Sequence, residues 1–128
     1  MKLKKRQRGF TLIELVIVIA IIAILISIAA MKYSTANLAA EAAAHNSNVK
    51  VLKSAGILYL IDHPDDAGKV ISPESLKPYI EGGKIPKPAK HYKGATTFSI
   101  EATADGDVEV KPGIIKVSGN SLELDNGK

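Results

Sequence analysis

The chain has 128 residues, 46% of them hydrophobic, and a formal charge of +4 at pH 7, a length that suits one domain of ordinary size. It contains no cysteine, which excludes disulfides, iron–sulfur clusters and thiolate zinc sites. Five of the 17 basic residues, Lys2, Lys4, Lys5, Arg6 and Arg8, stand together at the start and leave 12 basic against 13 acidic residues elsewhere. The positive balance is therefore local, and by this charge count the rest of the chain is expected to offer no basic stripe for a phosphate backbone.

The first element is the longest. In "RQRGFTLIELVIVIAIIAILISIAA", residues 6–30, and on to Met31, the only polar side chains after Phe10 are Thr11, Glu14 and Ser27. As a helix, residues 10–31 rise roughly 33 Å, enough to cross a hydrocarbon core of about 30 Å. Basic residues ahead of a span mark its cytoplasmic side, so the bulk of the chain is expected outside. A secretory signal cut near Ser27-Ile28-Ala29 would have a shorter apolar run. An uncleaved signal anchor suits the length. Neither has a use for Glu14, which would cost about 3 kcal/mol near the centre of a membrane and less near its edge.

The stretch "RGFTLIE", residues 8–14, resembles the processing site of type IV prepilins and the related pseudopilins, the class III signal. The resemblance implies that residues 1–9 are a basic leader, removed by a prepilin peptidase that cuts between Gly9 and Phe10, and that Phe10 is then N-methylated. Residues 10–31 are kept as transmembrane segment and filament core. Glu14, the fifth mature residue, resembles the family glutamate that pairs with a neighbouring subunit's amino terminus, so that Phe10, Thr11 and Glu14 are the expected assembly residues. The chemistry is reasonable: cleavage creates an ammonium in apolar surroundings, and leaving such a charge unpaired costs on the order of 3–5 kcal/mol. Pairing of Glu14 with its own Phe10, one helical turn away, is open as well.

Beyond the span, nothing before Asp62 demands a break, and a helix over about 10–62 would extend roughly 80 Å. Its second half, residues 32–63, is amphipathic. Leu38, Ala42, His45, Val49, Leu52, Gly56 and Tyr59 recur at spacings of four and three and form one stripe; Val51, Ala55 and Leu58, with Ile61 at its edge, form a second. Two apolar faces suit a helix that packs on its own domain and against other subunits. Where many type IV pilins have a glycine and a proline in the membrane half, this chain has Ala23 and Met31, both compatible with an unbroken helix. The family's frequent disulfide loop is missing.

Residues 64–128 are the expected globular head. Pro64 ends the helix, and "HPDDAGKV" reads as a surface loop. "SPESLKPYIEGG" predicts a short helix over 73–80 with Ser72 as cap and Pro78 limiting its regularity. "KIPKPAKHYKG" reads as a proline- and lysine-rich connection. Four strands come next, near 96–103, 107–111, 114–118 and 121–125, with turns at Asp105-Gly106, Pro112-Gly113 and Gly119-Asn120. The inward set is Phe98, Ile100, Val108, Val110, Ile115, Val117, Leu122 and Leu124. The predicted fold is α+β: a long N-terminal helix whose C-terminal half packs on a four-stranded antiparallel meander, matching the ladle-shaped fold that the resemblance implies.

No nucleophile–base pair or phosphate-cradling glycine loop occurs, and the chain is read as a structural protein, not an enzyme, with no cofactor and no metal. Asp105 and Asp107 of "DGD" are the weak calcium candidates, with "DHPDD" at 62–66 as a second acidic stretch; neither follows an EF-hand pattern. His45, on an apolar stripe, reads as a packed histidine, and His63 and His91 are scattered. Lys84, Lys87, Lys90 and Lys93, near Tyr92, read as a solvated loop that, repeated on a filament, would meet DNA or another anionic surface. The expected function is a subunit that homo-polymerises into an extracellular type IV pilus from a single-pass precursor in the cytoplasmic membrane. The implied partners are a prepilin peptidase that is also the N-methyltransferase, an assembly ATPase and a membrane platform protein. The alternatives are a pseudopilin of a type II secretion or competence system and a membrane-anchored binding domain that never assembles.

Overall fold

A computed structural model describes residues 8–127. The leader charges Lys2, Lys4, Lys5 and Arg6 lie outside the described residues. The chain divides into two compact units, residues 1–34 and 35–128.

In the first unit the described chain has no regular secondary structure from Arg8 to Thr11 and then enters a helix, α1, which runs over Leu12–Asp62. No described side chain of this unit is buried, and the apolar residues from Leu12 to Met31 face outward all round the helix. Such a helix has no stripe for a protein core to cover, and in this stretch it is long and apolar enough to cross a membrane. It passes through Ala23 and Met31 without a break. The hydroxyl of Ser27 donates to the Ala23 carbonyl at 2.8 Å, so this polar group is satisfied within the helix itself.

In the second unit α1 buries Leu38, Ala42, His45, Val49, Leu52, Ala55, Gly56 and Leu60, the single stripe that spacings of four and three dictate. Tyr59 lies at its edge, half-buried. The second predicted stripe is corrected in one place: Ala55 turns into the core, while Val51, Leu58 and Ile61, joined by Ile57, remain exposed. At Gly56 the helix comes so close to the sheet that a Cβ would lie 2.8 Å from Cγ1 of Val108, so only glycine fits there without a shift.

Pro64 ends α1, and two tyrosines fasten the loop and turn beyond it to the helix end. Tyr59 donates its hydroxyl to Asp66 Oδ2 at 2.7 Å and Tyr79 donates to Asp62 Oδ2 at 2.6 Å, the two rings meeting edge to face. The residues after Ser72, Pro73–Tyr79, form a 3-10 helix and not the α-helix expected over 73–80. Pro78 lacks an N–H and so interrupts the regular bonding that an α-helix over this stretch would need, and short 3-10 pieces are common as connectors. The carbonyl of Ser72 accepts the N–H of Ser75 at 3.0 Å, but its side chain makes no capping bond.

The strands are β1 (Val70–Ile71), β2 (Ser99–Ala102), β3 (Val108–Lys111), β4 (Ile115–Ser118) and β5 (Ser121–Leu124). They form two antiparallel sheets, β1-β2-β3 and the hairpin β4-β5, where the sequence predicts one four-stranded meander. The α+β class stands; the continuity of the sheet is corrected. The outer edge of β4 is already occupied by side chains of α1. Asn46 donates through Nδ2 to the Ile115 carbonyl at 2.9 Å and accepts the Ile115 N–H on Oδ1 at 2.8 Å. The His45 ring bonds the Gly113 carbonyl through Nε2 at 2.9 Å. Groups that a continuing meander would give to β3 are therefore bonded to the helix.

Two apolar clusters result. Leu52, Leu76, Phe98, Ile100 and Val108 centre the one beneath the three-stranded sheet, and Leu38, Ala42, Ile115 and Leu122 form the one beneath the hairpin. Of the predicted inward set, Val117 is half-buried and Leu124 is exposed, because a two-stranded hairpin has too narrow a face to cover its last residue. Between the clusters His45 is 1% exposed. The N–H of Ala89 donates to its Nδ1 at 3.0 Å, so the ring proton lies on Nε2 and is donated to Gly113.

These bonds can be tested one at a time. His45→Phe keeps a ring but orphans the Ala89 N–H and the Gly113 carbonyl, and each orphan is expected to cost about 1–3 kcal/mol, measured as a shift in the chemical denaturation midpoint. The hydroxyl of Tyr59, chiefly, and then Lys69 hold Asp66 below the ordinary carboxylate value, while the bond to Asp66, burial and its charge push Tyr59 above the ordinary phenol value. Stability from Asp66 is then present above its unfolded pKa and lost as pH falls through the lowered folded value. Stability from Tyr59 is present below its unfolded pKa and lost as pH rises through the raised folded value. Tyr59→Phe should weaken the fold at neutral pH and flatten both limbs of a plot of melting temperature against pH.

Candidate functional site

The residues singled out at the start of the chain occupy a short, unencumbered segment. Arg8, Gly9 and Phe10 are all exposed, Phe10 to 92%, and a Cβ built on Gly9 would meet nothing within 4 Å. The Gly9–Phe10 peptide thus lies outside regular structure, just ahead of the helix. A peptidase needs access of this kind, because a bond inside a helix is shielded by its own turn.

Thr11 and Glu14 are brought together. The Thr11 N–H donates to Glu14 Oε2 at 3.0 Å, and the Glu14 N–H donates to Thr11 Oγ1 at 3.3 Å. This reciprocal pair is a capping box, the T-x-x-E arrangement in which two helix-start N–H groups without intrahelical partners are each satisfied by the other residue's side chain. Glu14 also stands in the first turn of α1, where the helix dipole favours a negative charge. Its carboxylate has a partner within its own chain, one residue from the Phe10 nitrogen. "TLIE" carries the capping signature openly, a local role for Thr11 beside the assembly role expected of it.

The remaining candidates are scattered over the second unit. Asp107 accepts the Val108 N–H on Oδ1 at 2.8 Å and faces Lys53 at 3.4 Å, which together hold its carboxyl below the ordinary value. Asp105 is exposed, and Gly106 between them takes the left-handed turn conformation at φ +84°. Among the described residues no three His, Asp or Glu side chains converge as a metal would need. His63 stacks on Tyr59 with ring centroids 4.3 Å apart, and His91 meets Glu41 at 2.6 Å through Nδ1. Asn46, which no sequence motif marks, fixes the start of β4. Its one visible signal is position: a polar residue beside His45 at the margin of an apolar stripe.

Comparison with known families adds one finding. The model of the prokaryotic N-terminal methylation motif matches residues 4–30. The stretch carries the prepilin-type signal, the class III signal of type IV pilins and pseudopilins, and the motif points to a structural protein of that kind. No curated protein and no solved structure matches the chain.

Removal of one half of the capping box should be felt at the helix start. Thr11→Ala is expected to weaken the first turn by about 1 kcal/mol and Thr11→Ser to preserve it, read as amide exchange of residues 12–16 in detergent micelles.

Proposed function

We propose that the chain is the structural subunit of a type IV pilus, cut between Gly9 and Phe10, methylated on the Phe10 nitrogen, and polymerised through its N-terminal helix. The observation that carries this reading is the coincidence of the methylation motif with a helix whose apolar residues from 12 to 31 are all uncovered. Transfer from lipid to a bundle of identical helices satisfies such a surface at both stages of its life, first with lipid tails and then with packed side chains.

Glu14 acts at the join. Before cleavage its carboxylate bonds the Thr11 N–H. Cleavage turns the neighbouring Phe10 nitrogen into an ammonium, and the two charges are satisfied together either within one chain or across two. In the apolar core of a fibre the second arrangement sets the axial register between subunits, because an unpaired charge there is costly. The exposed apolar residues Val51, Ile57, Leu58 and Ile61 on α1 offer the next subunit a further contact. The basic leader, Lys2, Lys4, Lys5, Arg6 and Arg8, holds the precursor's start at the cytoplasmic face until cleavage. Processing calls for a prepilin peptidase with N-methyltransferase activity. Extraction calls for an assembly ATPase and a membrane platform protein.

The same features would serve a pseudopilin that stays in the envelope, and the location of the mature species separates the two. Mass spectrometry of material sheared from cells is expected to find chains that begin at Phe10 with one added methyl group. The same species confined to the membrane fraction would assign the pseudopilus, and an amino terminus near Ala30 would overturn both. Glu14→Ala is expected to be cleaved normally while the yield of sheared fibre falls by at least about tenfold, given several kcal/mol for the unpaired ammonium.

A further inference from the structure

We propose that the segment from Lys84 to Lys93 is a docking edge for the phosphate backbone of a nucleic acid, bound without regard to base sequence. Lys84, Lys87, Lys90 and Lys93 recur at intervals of three. All four are exposed, whereas Ile85, Pro86, Pro88, Ala89 and Tyr92 between them are half-buried against the domain. A period of three is that of an extended polyproline-type chain. Pro86 and Pro88 fix their own φ, and each biases the residue before it to the extended region. Lys84 itself lies at φ −98°, ψ 125°. An extended course places Lys84 and Lys87 on one outward ridge roughly 9 Å apart; Lys90 follows within the turn closed by the Tyr92 N–H on the Ala89 carbonyl, and Lys93 stands just beyond it.

The ridge is held in place and its charges are uncommitted. The Ala89 N–H is bonded to His45, and the N–H and ring of His91 are bonded to Glu41, so the segment is fixed to α1 at two points. Every ion pair formed by a lysine among the described residues uses Lys53, Lys69, Lys77, Lys111 or Lys116, and none uses the four of the ridge. Of the carboxylates near the segment, Glu41 is taken by His91, Glu74, which shares a surface depression with Ile85 and Lys87, is paired with Lys77, and Glu81 stands exposed just ahead of Lys84. The docking groups are ammonium ions throughout, since the chain has no arginine after Arg8. Ammonium is a point charge that binds phosphate without a fixed fork geometry. Duplex DNA carries a charge for about every 1.7 Å of its axis, so a phosphate lies near each lysine in any register. An acidic polymer of sparser charge would need its spacing to match that of the ridge.

The test uses the full chain in zwitterionic detergent, so its outcome does not depend on polymerisation. Binding of a short fluorescent duplex is followed by anisotropy across a salt series. The leader's own basic residues add a constant background, present in every variant. Lys84→Gln/Lys87→Gln/Lys90→Gln is expected to lower affinity at least about tenfold at low salt. It should also reduce the slope of log K against log salt by about 2–3, because each phosphate no longer neutralised takes about 0.9 from the slope. The corresponding triple Lys→Arg variant should bind like the parent, and Lys50→Gln on α1 serves as the charge control. An unchanged slope in the glutamine triple, or a loss per charge no larger than in Lys50→Gln, would overturn the proposal. So would a parent chain that binds hyaluronate as tightly as the duplex at equal ionic strength.

Discussion

The two carbonyls and one N–H that the β3–β4 link and the start of β4 present to α1 decide how the C-terminal unit is built. A β-meander would hand these groups to the neighbouring strand. Here His45 and Asn46 take them, two consecutive side chains of one helix turn that reach different parts of the same segment. The strands are split into a three-stranded sheet and a hairpin, and the core is split with them. Because the bonds are made by α1, the hairpin is referred directly to the helix and not to the three-stranded sheet. A buried polar side chain is tolerated in such a place only when all its partners are present. Both ring nitrogens of His45 and both ends of the Asn46 amide are occupied.

The same accounting governs the start of the chain under a different solvent. Lipid offers no hydrogen bonds, so polar groups in a spanning helix must close on their own backbone. Ser27 does so through Ala23, and Thr11 and Glu14 do so through each other. The question raised by a glutamate in a membrane-length helix thus has a local answer, the helix cap. Its proposed second role as a partner for the processed terminus does not conflict with the first, since a carboxylate has two oxygens and several lone pairs.

Much of this is legible in the sequence because it depends on period. The apolar run from Phe10 to Met31, the stripe from Leu38 to Leu52 and the alternation in β2 and β3 are direct consequences of 3.6- and 2-residue repeats. The prepilin-type signal is legible as a motif. Other features depend on contacts that no local pattern records. Val70–Ile71 is too short to signal a strand and becomes one only by pairing with Ile100 and Glu101. Ala55 fits the outer stripe by its spacing from Val51 and Leu58, although its position three residues after Leu52 also suits the core. The division of the sheet is hidden because it depends on Asn46, whose polarity reads as surface. At the candidate site, "TLIE" is readable as a capping box, but the stronger resemblance to a processing site points Glu14 toward assembly alone.

The self-closure of Ser27 has a consequence for how the span moves in a bilayer. A helix with an open hydroxyl would seek a partner on one side and acquire a preferred azimuth among neighbouring spans. With the hydroxyl turned onto Ala23, the exposed surface from Leu15 to Met31 shows side chains of similar polarity in every direction. In a bilayer, lateral encounters of such helices would have little to select between and would not lock them into fixed pairs. The choice of facing side is left to groups at the ends of the span, where water is within reach and directional bonds can form.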